Sequence, residues 1–254
     1  MVENVERIGG NAIVIEDEWG TPVSLDKLED ALKNNPDTEV VAFVHAETST
    51  GVRSDAKEIA EIAKKYGCLV IADTVTSLVG IPVLTDEWGL DAVYSGSQKC
   101  LSSVAGLSPL TFSDKAIKKI QSRDTRIQSW FLDQTLVLDY WSGSGKRSYH
   151  HTAPINSIFA LHESLRLACD ETLENLWKRH LGAHSRLKKG LDKLSFDFVV
   201  EKEYRLPQMN SIHIPKGYDD LELRSKLLND YNLEIGAGLG KFSGKIWRIG
   251  LMGY

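Results

Sequence analysis

Two short apolar runs, "EVVAFVHA" (39–46) and "CLVIAD" (68–73), flank a segment of helical periodicity, "SDAKEIAEIAKKYG" (54–67). That alternation constrains the fold more than any other feature of the chain. Within the helical segment Ala56, Ile59, Ile62 and Ala63 share one face, Asp55 and Glu58 stand at capping-box spacing, and Gly67 is a stop signal. Strand, helix and strand in succession predict a βαβ unit, hence a parallel or mixed sheet covered on both faces. The pattern extends in both directions. "NAIVIE" (11–16) is another apolar run, "SLDKLEDALKN" (24–34) has Leu25, Leu28 and Leu32 at helical spacing, and "DAVYSG" (91–96) and "LSPLTFS" (107–113) continue in the strand style.

From about Asn156 the character changes. A long helical stretch carries Leu161, Leu165 and Ala168, then Leu173, Leu176 and Trp177, on one face. Strand-like pieces "FDFVVE", "SIHIP" and "KIWRIGL" follow around one more helix, "DLELRSKLLNDY". The expectation is an α/β unit with a mostly parallel sheet between helices (1–171), joined by a long connecting helix to a smaller α+β unit (172–254). A chain of 254 residues has room for that much core.

Composition removes several function classes. A net charge of -5 gives no electrostatic reason to expect nucleic acid or an anionic membrane as partner. No apolar run reaches the roughly 20 residues that span a bilayer. Cys68, Cys100 and Cys169 are odd in number and share no close spacing, which fits a reducing compartment better than a disulfide framework or a zinc site. His150 and His151 are adjacent, and adjacent side chains diverge on a strand; with no acidic or cysteine partner nearby, no metal is expected there. "GAGLGKFSGK" (236–245) has phosphate-loop colouring, but its last glycine–lysine is followed by isoleucine and no helix pattern follows, so it reads as a flexible turn.

Two residues suggest chemistry. Asp73 ends an apolar run, which puts its carboxylate at the carboxyl edge of a sheet, where open α/β sheets bind ligands. Position alone leaves it open between a ligand group and the start of a turn. Lys99 sits in "SGSQKCLSSVAG" (95–106), with small residues on both sides. A lysine there is either an ordinary solvated charge or an amine kept for carbonyl chemistry. Together, an anion at one strand tip and an amine just past a later strand fit pyridoxal 5′-phosphate, which needs an amine for its aldehyde and an anion for its ring nitrogen.

The ordered segments "HAETSTGV", "IADTVTSLVGIPV", "DAVYSGSQKCL", "YHHTAPI" and "GKIWRIGLMG" resemble the alanine–glyoxylate and serine–pyruvate aminotransferases. These are class V members of the fold-type I pyridoxal-phosphate enzymes, and the resemblance covers nearly the whole chain. It implies that Lys99 holds the cofactor and shuttles a proton, that Asp73 partners the pyridine nitrogen, and that Val75 packs under the ring, facing the same way as Asp73 if the chain is still extended. By the same resemblance Thr48 supplies a hydroxyl near the ring, and Gln98 lies at the phosphate end. Tyr149 and Thr152 reach the phosphate of the other subunit's cofactor in a homodimer, and Arg248 clamps the substrate carboxylate. The bland readings are core packing for Val75, a turn hydroxyl for Thr48, a neighbour without ligand contact for Gln98, interface packing for Tyr149 and a surface ion pair for Arg248.

The implied reaction is transamination between a small amino acid (alanine or serine) and a 2-oxo acid (glyoxylate or pyruvate). The alternatives are 3-hydroxykynurenine transamination, or a truncated non-catalytic homologue that binds cofactor poorly. The family's N-terminal arm, glycine-containing phosphate loop, aromatic lid and closing C-terminal helix have no counterpart in these residues, so weak cofactor retention is expected. Where relatives usually carry proline beyond the lysine, "SSVAG" predicts a looser loop. Relatives are often peroxisomal through the extreme C-terminus; Met252-Gly253-Tyr254 is no such signal, and cytoplasm or mitochondrion stay open.

Overall fold

The computed structural model describes residues 1–141 and 148–253, so Tyr254 of the C-terminal run lies outside the described residues. Helix α1 (Val2–Arg7) buries nothing. The 11–16 run forms no strand; Ile13, Val14 and Ile15 stay exposed because no neighbouring strand pairs with them. Helix α2 (Leu25–Asn34) begins where Ser24 Oγ accepts the Lys27 N–H, and it buries Leu28 and Leu32. Next come β1 (Val40–Val44), the small hairpin of β2 (Ala46–Glu47) and β3 (Val52–Arg53), helix α3 (Ala56–Lys65) and β4 (Leu69–Asp73). Asp55 Oδ1 accepts the Glu58 N–H at 3.2 Å, the forward half of a capping box, and Gly67 takes φ +79° as the chain turns into β4. Then follow α4 (Thr85–Trp88), β5 (Ala92–Tyr94), β6 (Leu110–Phe112), α5 (Asp114–Gln121) and α6 (Gln134–Trp141).

The first sheet runs β1-β4-β5-β6, parallel except for β6, which is antiparallel to β5. One face is a dry core: Val41, Phe43, Val70, Ala72 and Val93 pack with Leu28, Leu32, Ile59, Ala60 and Ala63 of α2 and α3. Each large aliphatic side chain buried there contributes about 1.5–3 kcal/mol. The sheet is mixed and mostly parallel with flanking helices, as expected, while its outer strands β1 and β6 keep exposed positions. In β1, Val41 and Phe43 are buried while Val40 and Ala42 are exposed, and Leu110 and Thr111 of β6 are exposed too. Helices α2 and α3 build their core together against the sheet. A cavity of about 470 Å³ lies along β1, between Ile13, Ile15 and Trp19 on one side and Val40 and Ala42 on the other.

Asp91, buried at the start of β5, closes the sheet's other end. Its Oδ2 accepts the Val70 N–H at 2.9 Å and its Oδ1 accepts the Ser113 hydroxyl at 2.7 Å. A buried carboxylate is tolerable here because both oxygens are satisfied.

The single connecting helix expected after Asn156 is two helices, α7 (Ile155–Glu171) and α8 (Leu173–Lys193). Thr172, at φ +70°, breaks them apart, a conformation β-branched residues seldom adopt. Strand β7 (Met209–His213), helix α9 (Asp220–Tyr231), β8 (Gly236–Ala237) and β9 (Ile246–Gly250) follow, forming an antiparallel sheet in the order β7-β9-β8. Of the predicted 196–201 strand only an isolated bridge, Phe198 to Ile212, forms. The 236–245 run opens as β8 and then makes a short 3-10 turn at Gly240–Phe242, so its first residues are strand rather than flexible turn. Leu191, Ile212, Ile235 and Trp247 make the core of this unit.

Two close approaches lock the second unit onto the first. Gly51, in the β2–β3 hairpin at φ +78°, leaves no room for a Cβ, which would stand 2.7 Å from the Met209 carbonyl oxygen. Gln208, fully buried, donates from Nε2 to the Thr76 carbonyl at 2.8 Å, just beyond β4. Among the described residues no helix is long and apolar enough to cross a membrane.

Candidate active site

Asp73 stands at the carboxyl end of β4, the location expected of it. Both carboxylate oxygens have donors: the Val75 N–H reaches Oδ1 at 2.9 Å and the Tyr94 hydroxyl reaches Oδ2 at 2.7 Å. Asp73 and Tyr94 are register partners on the parallel strands β4 and β5, so their side chains leave the sheet on the same face. Burial, then the hydrogen bond to Asp73 and its charge, push the Tyr94 phenol well above its ordinary range, so Tyr94 stays a neutral donor. Val75 corrects an expectation: the strand ends at Asp73 and the chain turns, so Val75 does not continue as an extended residue facing the same way. Its N–H folds back onto Asp73 instead, and its side chain lies half-buried over Gly96.

The segment around Lys99 joins β5 to β6. Its small residues are there to make hydrogen bonds. Ser95 Oγ donates to the Thr74 carbonyl at 3.1 Å, tying the loop to the turn after Asp73. Ser97 Oγ donates to the Val104 carbonyl at 2.5 Å, and the Ser103 N–H returns to the Ser97 carbonyl at 3.0 Å. Ser102 takes φ +58° while its N–H bonds the Lys99 carbonyl at 2.9 Å. On either side of the turn, Cys100 and Leu101 are anchored in a core with Val79 and Leu176. Burial pushes the Cys100 thiol up to about 11, partly offset by a hydrogen bond from the Gly253 backbone and the charges of Arg179 and Lys99, so this neighbour is a packing residue and no nucleophile near neutral pH. Lys99 itself is half-buried, and its ammonium makes no hydrogen bond or salt bridge among the described residues. A lysine in a held backbone with no partner is available for a ligand.

Three residues before Lys99 is Gly96, where a Cβ would come within 2.8 Å of Gln98 Oε1 and 3.3 Å of Val75 Cγ1. Val75 and Gln98 thus meet over a backbone that has no side chain of its own. A carboxylate with held oxygens, an uncommitted amine, a flat backbone patch and an exposed amide form a donor set and a cradle that suit pyridoxal phosphate.

Thr48 and Arg248 meet although they are far apart in sequence. Arg248, on β9, donates from Nε to the Ala237 carbonyl at 2.8 Å and from Nη1 to the Thr48 carbonyl at 3.2 Å. The Thr48 hydroxyl makes no hydrogen bond among the described residues; its loop is shaped by the Ser49 N–H bonding Glu47 Oε1 at 2.7 Å. Arg248 is in no salt bridge among the described residues, and its Nη2 carries no hydrogen bond there.

Tyr149 and Thr152 bond one another, hydroxyl to hydroxyl, at 2.7 Å, and both are exposed. Neither bonds Asp73, Lys99 or Arg248 among the described residues. The expectation that His150 and His151 diverge on a strand is corrected: residues 148–154 are not a strand, and the two Nδ1 atoms approach to 2.8 Å. His150 is stacked on Trp130 and bonds its carbonyl, and no group of three metal-ligating side chains occurs among the described residues.

Tyr94 is the member that sequence reasoning missed. Its signal was present: it closes the strand beside the one that Asp73 closes, and parallel register aligns the two ends. The second unit's support of the lysine loop, through Arg179 bonding the Gly253 carbonyl at 2.8 Å and Gly253 bonding Cys100, had no local signal.

Comparison with known proteins gives the family of the chain. The model of the aminotransferase class-V family matches residues 4–245. Alanine–glyoxylate aminotransferase of Rattus norvegicus is 38% identical over 254 residues, covering 99% of this chain and 61% of that protein. (S)-ureidoglycine–glyoxylate transaminase of Bacillus subtilis is 34% identical over 273 residues, covering 100% of this chain and 65% of the relative. The crystal structure of alanine–glyoxylate aminotransferase from Nostoc sp. superposes with a TM-score of 0.94 at 44% identity, covering 100% of this chain and 66% of that one. This chain therefore spans somewhat less than two thirds of the length of the curated relatives it matches.

Proposed function

Because the chain belongs to the class-V aminotransferase family, we propose that it is part of a transaminase that exchanges an amino group between alanine or serine and glyoxylate or pyruvate, with pyridoxal 5′-phosphate as cofactor. The single observation that carries this reading is a donor-held carboxylate, Asp73, at the end of β4, with an uncommitted amine, Lys99, on the loop that leaves the neighbouring parallel strand β5. When bound, pyridoxal phosphate supplies an electron sink and a carrier for the amino group.

In this reading Asp73 accepts the ring N–H and keeps that nitrogen protonated. Lys99 would hold the cofactor through its amine, and the same amine, when free, would carry the proton to or from the substrate Cα. Val75 and Gly96 give the ring a flat, half-buried floor, and Gln98 reaches the phosphate end. Arg248, with two of its donors tied to backbone carbonyls, directs those left over at the substrate carboxylate, which a planar guanidinium grips better than an ammonium does. Thr48 holds its hydroxyl toward the ring.

Tyr149 and Thr152 would serve the partner subunit's cofactor in a homodimer. Supporting this, Trp130, Phe131, Leu132 and Tyr149 leave large apolar side chains exposed at 58%, 56%, 63% and 70%. The division into a large cofactor-binding unit (1–171) and a small unit (172–254) is part of the same proposal. Free thiols at Cys68, Cys100 and Cys169 fit a reducing compartment, with the peroxisome first among the candidates.

The test is to mix the chain with pyridoxal phosphate and reduce with borohydride. Covalent label on Lys99, followed by half-reactions faster with alanine than with 3-hydroxykynurenine, supports the proposal. Faster reaction with 3-hydroxykynurenine moves the substrate assignment to that amino acid. No label at millimolar cofactor favours a non-catalytic homologue.

A further inference from the structure

The Asp73 carboxylate is gripped at both oxygens, but by unlike donors. Oδ1 takes a backbone N–H two residues on, a bond that forms whenever the turn at Val75 forms. Oδ2 takes a side-chain hydroxyl from the neighbouring strand, and no other side chain donates to Asp73 among the described residues. We propose that Tyr94 is the positioning residue for Asp73: its hydroxyl fixes the rotation of the carboxylate about the Cβ–Cγ bond, so that the remaining lone pairs point to one place, where a ring nitrogen is held.

The argument is geometric. A carboxylate with one hydrogen bond can pivot about it; with a second donor on the other oxygen, the plane is set. Tyr94 can act as that second donor because its backbone is itself held. Its carbonyl accepts both the Thr74 N–H and the Thr74 hydroxyl, each at 2.9 Å, so the residue after Asp73 ties β5 to the same spot that Tyr94 ties from its side chain. The loop reaching Lys99 starts immediately after Tyr94, and Ser95 again bonds the Thr74 carbonyl. The phenol therefore stands at the junction of the two groups that face the cofactor.

This inference rests on the assignment of Asp73 as the ring-nitrogen partner, and the experiment separates the two. Tyr94→Phe removes one oxygen and keeps the ring. Affinity is measured for pyridoxal phosphate and for its 1-deaza analogue, in which carbon replaces the ring nitrogen. The expected result is about a tenfold weaker affinity for pyridoxal phosphate, the size of one hydrogen bond to a charged group, with less than about a twofold change for the deaza analogue. In an Asp73→Asn background the Tyr94→Phe change should add nothing further. Equal losses for both ligands would mean a merely structural tyrosine and would overturn the inference, as would no loss for either. If Asp73→Asn also fails to discriminate the two ligands, the Asp73 assignment falls with it; if Asp73→Asn discriminates and Tyr94→Phe does not, only the role of Tyr94 falls. A cofactor-free readout stands beside these. In crystals of the chain without ligand, Tyr94→Phe should leave the Asp73 carboxylate rotated or in two orientations, and an unchanged, well-ordered carboxylate would contradict the proposal.

Discussion

The Arg248 guanidinium donates from Nη1 to the Thr48 carbonyl at 3.2 Å, so a β9 side chain of the second unit is anchored on the β2–β3 hairpin of the first. With Nε on the Ala237 carbonyl, the plane of the guanidinium is fixed by two backbone oxygens from different parts of the chain. Lysine cannot reproduce that, since an ammonium is a point charge without a plane. Arg248→Lys should lower kcat/KM for alanine by about 100-fold, a loss of about 2–3 kcal/mol. Half-reaction kinetics across alanine concentrations check it, with the effect falling mainly on substrate saturation and the cofactor spectrum unchanged.

Lys99→Arg keeps the positive charge and removes the amine. Its expected signature is loss of the borohydride-fixed adduct by mass spectrometry, with the half-reaction slowed by about 10²–10⁴-fold, the usual worth of a positioned acid–base group. Retention of the adduct on another lysine would remove Lys99 from the role.

Helices α2 and α3 were legible because their signals are local, whereas α1, α4, α5 and α6 were not expected. Ser24 and Asp55 cap α2 and α3 from within their own sequence, and Gly67 ends its helix with the conformation glycine permits. Asp73 at a strand tip was legible for the same reason. What escaped is non-local. Whether 11–16 becomes a strand depends on a neighbour to pair with. The Asp73–Tyr94 bond depends on the register between β4 and β5, and the Arg248–Thr48 bond on how two units dock. Thr172 carries no breaker signal, yet the chain turns there because α7 and α8 pack on one another and on the Cys100 loop.

Phe131, with its ring 5.1 Å from that of His151, is 56% exposed, and Tyr149, two residues before His151, is 70% exposed. If this surface joins two copies, Phe131→Glu should shift sedimentation toward the monomer by placing a charge in an apolar contact, a loss of about 2 kcal/mol or more at a central position. Unchanged sedimentation would put the interface elsewhere.

Gly51 tests the docking of the two units. Its φ of +78° disfavours any side chain, and a Cβ would meet the Met209 carbonyl at 2.7 Å. Gly51→Ala combines backbone strain with a forced separation of the hairpin from β7, together about 2–4 kcal/mol. Urea titration should show a lower midpoint with little change in slope.

His45 gives the fold a pH dependence whose sign follows from its surroundings. It is buried at 3% exposure just past β1, edge-on to Trp88 with ring centroids 5.5 Å apart, and its Nδ1 has no hydrogen-bond partner among the described residues. Burial, and next the charge of Arg53, push its pKa down to about 4, with Asp55 opposing weakly. In the unfolded chain the same imidazole titrates near 6.5. Between those values the unfolded state binds a proton that the folded state refuses, so stability is complete above about pH 6.5 and falls as the pH drops toward 4. The full loss from this group is about 3 kcal/mol. His180, also pushed down by burial, acts in the same direction. Urea midpoints measured from pH 7 to pH 4.5 should therefore decline steeply, and His45→Gln, which cannot take up the proton, should flatten the decline while leaving a smaller slope from His180. An equally steep decline in His45→Gln would assign the acid sensitivity to other groups.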